Sequence, residues 1–351
     1  MMYETKNLNQ NSIEMANKHI NNLTMPSWAL GDLLDIGVKL SGIQGVFPPK
    51  IEEKRIYIFA CDHGIVEENV SLFRKEVTEQ MVRNFVSGGA AISVLSRHAG
   101  AGTVIVDMGV DADLSDLVKR GDILDRKISM GTENFSKGPS MTLDQAEKSL
   151  KIGFELVKES YNENDIYAIG EMGIGNTTTS TAVVSGLLGS EVDLITGRGT
   201  GIDEKARLHK VDVIKESLQK RKIERDESPL SVLQKVGSYE IGAMTGMILG
   251  CASFGRPVVI DGFISSTAAL LAFKINPKVI DFMFLGHRSM EPGHKVIIEE
   301  LGLSPLLDLN MRLGEGSGTP LAMNLLEASC KILSEMATFE SAQVSRENEV
   351  Q

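Results

Sequence analysis

Residues 165–188 read Asp-Ile-Tyr-Ala-Ile-Gly-Glu-Met-Gly-Ile-Gly-Asn-Thr-Thr-Thr-Ser-Thr-Ala-Val-Val-Ser-Gly-Leu-Leu. The run Asp165–Ile169 is short and apolar, as a strand buried on both faces must be. The loop Gly170–Thr177 follows it, and the run from Thr177 to Leu188 then predicts a helix. Strand, glycine loop and helix in that order define one unit of a parallel α/β sheet. The loop also carries the spacing of a phosphate cradle: Gly170, four residues, Gly175, then Asn176 and Thr177. Glycines permit dihedrals that turn successive N–H groups toward one anion at a helix N-terminus. Asn176 stands where a nucleoside-triphosphate site needs lysine, which argues against an ATPase and leaves a single monophosphate as the ligand. A glycine-rich turn without a ligand is the alternative reading of the loop alone.

Outward from this unit the same alternation recurs. Arg55–Ala60, Thr103–Met108, Pro257–Asp261 and Val279–Leu285 are predicted strands. Helices are predicted over Glu76–Val86, Ala90–Ala99 with Gly100 at its end, and Thr142–Glu159 with a Thr142–Gln145 capping box. Further helices are predicted over Ser265–Phe273 and from Thr319-Pro320 to about Phe339, ahead of a frayed tail. Residues 1 to about 50 read as polar and helical, ending at Phe47-Pro48-Pro49. The charge-rich segment Asp203–Glu227 reads as a solvated helix, with Lys210 inside it. Gly242, Gly246 and Gly250, four apart, form a small-residue ridge for close packing in a soluble core. The sum is a parallel sheet with helices on both faces, its ligand beyond the carboxyl ends of the strands.

Composition narrows the partners. The 351 residues carry 36 Lys and Arg against 47 Asp and Glu, a net charge of −11, and only 5% are aromatic. Neither the basic footprint nor the stacking platform of a nucleic-acid binder is present. The first residues lack the basic and apolar regions of a secretion signal, and the apolar, uncharged stretch Ile241–Gly255 is too short to span a bilayer. Three distant cysteines, Cys61, Cys251 and Cys330, without a CxxC, indicate reduced thiols and a cytoplasmic protein.

The 34 glycines, about a tenth of the chain against a usual ~7%, gather in clusters. In Leu313-Gly314-Glu315-Gly316-Ser317-Gly318-Thr319, one carboxylate stands among three glycines ahead of a helix. Such a Glu is either solvated or delivered into a cleft, and the surrounding glycines favour a general base that a substrate can approach closely. Thr196–Gly201 could hold a phosphate, meet another subunit's loop, or simply turn. Cys61-Asp62-His63 follows the strand Arg55–Ala60, and Cys61 and His63 could touch only in an unusual turn, so no Cys–His nucleophile pair is expected. Asp62, His63, Asp107, Asp111, His287 and His294 are metal-ligating types without the tight spacing of a metal motif, so no metal is expected. These acids suit hydrogen bonds to sugar hydroxyls, or loop and helix caps.

Taken together, CDHGIVEENVS (61–71), EVTEQMVRNFVSGGAAISVLSRHAGA (76–101), VDMGVDAD (106–113), GEMGIGNTTTSTA (170–182), TGRGTGID (196–203), VVIDGFISSTAALLA (258–272), GHRSMEPGH (286–294) and LNMRLGEGSGTPLA (309–322) occur in the order of one family. The chain resembles, over nearly its whole length, the nicotinate-nucleotide–dimethylbenzimidazole phosphoribosyltransferases, which activate the lower ligand of cobalamin. The resemblance implies a Rossmann-like sheet (residues 51–310) beside a small helical domain built from residues 1–50 and 311–351, working as a homodimer. It implies transfer of the 5-phosphoribosyl group of nicotinate mononucleotide to 5,6-dimethylbenzimidazole, giving α-ribazole 5′-phosphate and nicotinate. Glu315 would be the general base and Glu171 would lie near the ribose. Gly173, Ile174, Gly175, Asn176, Thr177, Lys210 and Ser289 would hold the phosphate. Ser71, Gln80, Met81 and Leu313 would border the aromatic base, and Asp261 would shape the cleft floor. No pyrophosphate leaves, so neither a metal nor another cofactor is called for. Cys61 departs from the glycine that relatives often carry before Asp-His-Gly.

Overall fold

The computed structural model describes residues 3–224 and 227–345. Seven strands form one sheet: β1 (Lys54–Cys61), β2 (Gly102–Gly109), β3 (Leu124–Asp125), β4 (Ile166–Met172), β5 (Val258–Ile260), β6 (Met283–His287) and β7 (Pro305–Leu307). Their spatial order is β3-β2-β1-β4-β5-β6-β7, and every neighbouring pair is parallel. All of β1 except Arg55 is buried. Successive strand residues face opposite sides, so helices cover both. The chain moves outward in two directions from β1 and β4, with helix Ala91–His98 packed against β2, helix Tyr239–Phe254 against β1, β2 and β4, and helix Phe263–Ile275 against β4 and β5.

The order reverses between β1 and β4. Loops leaving these two strands diverge, and the crevice they leave is the ligand position of such sheets. The expected apolar runs are the strands, with shifts at their ends. β4 runs on to Met172, because Gly170, Glu171 and Met172 pair with Ile58, Phe59 and Ala60 of β1. Glu171 is therefore a strand residue with its direction set by the pleat. The predicted strand Val279–Leu285 is divided: Pro277–Phe282 is a 3-10 turn started by Pro277 and capped by Asn276, and only Met283–His287 pairs. Asp203 caps helix Glu204–Lys220, which is shorter than the charge pattern suggested. Of that charge-rich segment, residues 225 and 226 lie outside the described residues.

The capping box of Thr142 and Gln145 opens helix Leu143–Ser160. That helix packs against Tyr239–Phe254 at the small-residue ridge. A Cβ on Gly246 would stand 1.8 Å from the Leu150 carbonyl oxygen. Replacing Gly246 by Ala is expected to lower the unfolding free energy by about 1–3 kcal/mol through overpacking, read as a lower denaturant midpoint.

A second, smaller core of Ala16, Ile20, Leu23, Leu34 and Leu333 joins the two N-terminal helices, Gln10–Ile20 and Asp32–Gln44, to the last long helix, Thr319–Glu335. That last helix stops at Glu335, a turn short of Phe339, and Phe339–Ala342 is a separate short helix. Of the tail read as frayed, residues 346–351 lie outside the described residues. No helix among the described residues is long and apolar enough to cross a membrane. Cys61, Cys251 and Cys330 are unpaired and buried.

Candidate active site

Gly175, at φ 98°, takes the left-handed conformation that ends the loop and starts helix Asn176–Leu188. No side chain caps this helix, so its positive dipole end is directed to the crevice. The loop is pinned from below. Ile174 N–H donates to Thr78 Oγ1 at 3.2 Å, and Gly173 packs so closely that a Cβ there would meet the Cys61 carbonyl oxygen at 2.2 Å and the His63 Nε2 at 2.8 Å. His63 is buried, with Nδ1 2.9 Å from Thr179 Oγ1 and Nε2 3.1 Å from Glu240 Oε1. His63 is thus a support of the loop, and its partners are Thr179 and Glu240 in place of Cys61. Burial holds the Cys61 thiol well above its ordinary range, which makes it an unreactive packing group.

The lysine missing from the loop itself arrives from elsewhere. Lys210, on the charge-rich helix, is only 1% exposed and donates to Thr177 Oγ1 at 2.8 Å. Burial pulls its pKa down to about 8, against the opposing charge of Glu291. Glu291 is buried, accepts from Gly199 N–H at 3.1 Å, and has its other oxygen unpartnered. It ties the third glycine cluster to the cleft wall. Ser289 is buried on the same wall, and its N–H donates to His294 Nδ1 at 2.8 Å. Burial and the neighbouring His287 hold His294 neutral, with a pKa near 3.

Two lobes open side by side here. One, ≈ 380 Å³, is walled by Val70, Ser71, Phe73, Val77, Met81 and Leu313, with Gly173–Thr177, Lys210 and Glu315 at its inner end. The other, ≈ 270 Å³, is more polar and includes Asp261, His287, Ser289, Glu291 and Arg312. Glu171, Asn176 and Thr177 border both. The structure thus brings every expected site residue to the cleft except Gln80, which is exposed on helix Glu76–Ser87 and absent from the wall. Leu313, 58% exposed, stands at the mouth. Arg312 and Glu291 are not singled out in the sequence, whereas Phe73 lies within the segment Ser71–Gln80 expected to border the aromatic base. Glu291 lies within the quoted GHRSMEPGH cluster, and the glycine-flanked loop facing it was the available signal.

Glu315 is 7% exposed and takes φ 65°, a conformation uncommon outside glycine. Its backbone rests on β4: a Cβ on Gly170 would stand 2.4 Å from the Glu315 carbonyl oxygen. Glu315 N–H donates to Glu171 Oε1 at 3.3 Å, and Asn176 Nδ2 donates to the other Glu171 oxygen. Glu315 Oε2 is buried without a protein partner. Burial raises the pKa of Glu315, the Ile92 N–H acts in the opposite sense, and the charge of Asp261 adds to the rise. Burial, reinforced by Asp261 and Glu240, raises Glu171 to about 8. The cleft therefore holds an acceptor carboxyl facing an apolar lobe, beside an anion cradle.

Asp62 and Asp107 cap loops: Asp62 accepts from Asp111 N–H at 2.8 Å, and Asp107 from Gly109 and Val110 N–H at 3.0 and 2.9 Å. Among the described residues, no three His, Cys, Asp or Glu side chains form a group that could hold a metal ion.

A phosphoribosyltransferase family model matches residues 5–344. The chain is 48% identical over 337 residues to the nicotinate-nucleotide–dimethylbenzimidazole phosphoribosyltransferase of Syntrophotalea carbinolica, covering 96% of this chain and 95% of that one. It is 46% identical to the enzyme of the same name from Desulforamulus reducens, covering 96% and 95%. A crystal structure of the enzyme of that name from Thermus thermophilus superposes with a TM-score of 0.90 at 38% identity, covering 97% of this chain and 100% of that one. Both the sequence, over nearly its whole length, and the fold are thus those of a phosphoribosyltransferase, and the chain belongs to that family.

Proposed function

We propose that this chain transfers the 5-phosphoribosyl group of nicotinate mononucleotide to 5,6-dimethylbenzimidazole, with Glu315 as general base. The carrying observation is the buried, unpartnered Glu315 Oε2 next to a phosphate cradle. The nucleotide phosphate is received by Gly173–Thr177, Lys210 and Ser289. The aromatic base enters the apolar lobe of Ser71, Met81 and Leu313.

Neutral benzimidazole becomes cationic when its ring nitrogen attacks C1′, unless its N–H proton leaves. Glu315 takes that proton. The bond from C1′ to the pyridinium nitrogen breaks with its electron pair going to nitrogen, which neutralises the ring, so nicotinate leaves without an acid. Attack on the face opposite the leaving group converts a β-linked nucleotide into an α-linked product. Glu171 stabilises the cationic sugar. Burial raises the pKa of Glu171 to about 8, and the positive pyridinium nitrogen of the nucleotide, placed beside it, would favour the carboxylate form.

The N-terminal segment up to residue 50 and the helices that follow the catalytic loop within 311–351 serve in this reading as the small helical domain beside residues 51–310, a division supported by the separate core around Leu34 and Leu333. A homodimer is supported by exposed Leu72, Phe73, Met290 and Leu313 around the cleft mouth, and a cytoplasmic setting by three unpaired thiols. Sedimentation of the purified chain tests the dimer. The activity is tested by incubating the protein with both substrates and separating products by chromatography: free nicotinate and an α-nucleotide are expected in equal amounts. Nicotinate release without the new nucleotide, or no turnover, would falsify the transfer.

A further inference from the structure

We infer that Asp261, braced by His287, is the positioning residue that holds Glu315 in reacting register. The inference rests on Glu315 being the base. Asp261 follows β5 and is 1% exposed. Its two oxygens hold the segment that follows the base: Oδ2 accepts from Gly316 N–H at 3.1 Å and Oδ1 from Gly318 N–H at 2.7 Å. Both donors belong to the loop that carries Glu315. A carboxylate engaged this way by two amides is a fixed anchor, and its hydrogen bonds are of the stronger, charge-assisted kind.

The loop needs such an anchor. Glu315 and Gly316 are left-handed in succession, at φ 65° and 84°. A non-glycine residue in this region persists only where its surroundings over-determine it. Glu171 supplies one contact, the 3.3 Å bond from Glu315 N–H, while Asp261 supplies two and closes the far side. His287 completes the brace. Its Nε2 lies 3.3 Å from Asp261 Oδ1, and Gly318 packs against its ring so closely that a Cβ would meet Cδ2 at 2.2 Å. The sheet itself thereby sets the position of the base, because Asp261 directly follows β5 and His287 ends β6.

The test is a double-mutant cycle on the full chain. Asparagine offers one acceptor oxygen where the loop presents two N–H donors. Asp261→Asn is expected to lower kcat by about ten- to a hundredfold through misplacement of the base, with KM for nicotinate mononucleotide changed by no more than about threefold. Added to Glu315→Gln, it should change kcat by less than about threefold, since no base remains to be positioned. An undiminished kcat in Asp261→Asn, or a full multiplicative loss in the double variant, overturns the inference. An unimpaired Glu315→Gln takes down the base assignment and the positioning role with it, whereas an impaired Glu315→Gln beside an intact Asp261→Asn takes down the positioning role alone. Should Asp261→Asn not fold, His287→Leu and His287→Gln carry the test. The Leu variant should lose at least about tenfold in kcat and the Gln variant recover most of it by donating to Asp261. Equal kcat in the two overturns the brace.

Discussion

Glu315→Gln is expected to lower kcat by about 10²–10⁴-fold while leaving the dissociation constant for nicotinate mononucleotide nearly unchanged. The change removes proton-accepting power and little else. Gln has the same length and volume, and the left-handed backbone is held by groups other than the side chain, including Glu171 and Gly170. Nothing in the phosphate cradle touches the replaced atoms. Steady-state kinetics and titration calorimetry separate the two quantities. The pH profile adds a sign. The base works deprotonated, and burial raises its pKa above the ordinary carboxylate range. The acid limb of kcat should therefore lie at higher pH than for a free glutamate, and the Gln variant should lose the part of it that Glu315 provides. A variant with wild-type turnover would mean that another group takes the proton.

The second large effect belongs to Lys210. Lys210→Met keeps the buried stem and removes the ammonium group that meets Thr177 at the helix start. A hydrogen bond to a charged partner contributes about 1.5–3 kcal/mol, so the dissociation constant for nicotinate mononucleotide should rise about 10- to 150-fold. In the free protein this lysine loses its proton near pH 8. Nucleotide affinity in the unmodified chain should therefore fall as pH rises through about 8, and that decline should be absent in Lys210→Met. Calorimetry on both proteins, below and above that pH, reads the difference. Equal pH dependence in the two would remove Lys210 from the phosphate site.

Local patterns carried much of this site. The loop 170–177 and the helix after it were legible because a short apolar run, a glycine spacing and a helical run each have their own period. The carboxylate among glycines at 315 was legible for the same reason. Lys210 was harder to read, because the residues around it are those of a solvated helix and only tertiary packing selects the one lysine that turns inward. Two strands escaped notice for want of length: β3 has two residues and β7 three. The overlong strand at Val279 arose from an apolar run that Pro277 diverts into a tight turn. Asp261 and His287 sit one residue past β5 and at the end of β6, and no pattern within either strand announces that their side chains meet across the sheet.

The dependence of the Glu315 loop on Gly170 and Asp261 has a consequence for biogenesis. Chains emerge from the ribosome N-terminal end first, and the cradle (173–177), its lysine (210) and the anchor (261) all precede the base. The residues proposed to receive the nucleotide are thus made before the proposed base, yet the helix Thr319–Glu335 that follows the base also packs on β5 and β6, so the last segment to be made both completes the core and delivers the carboxyl.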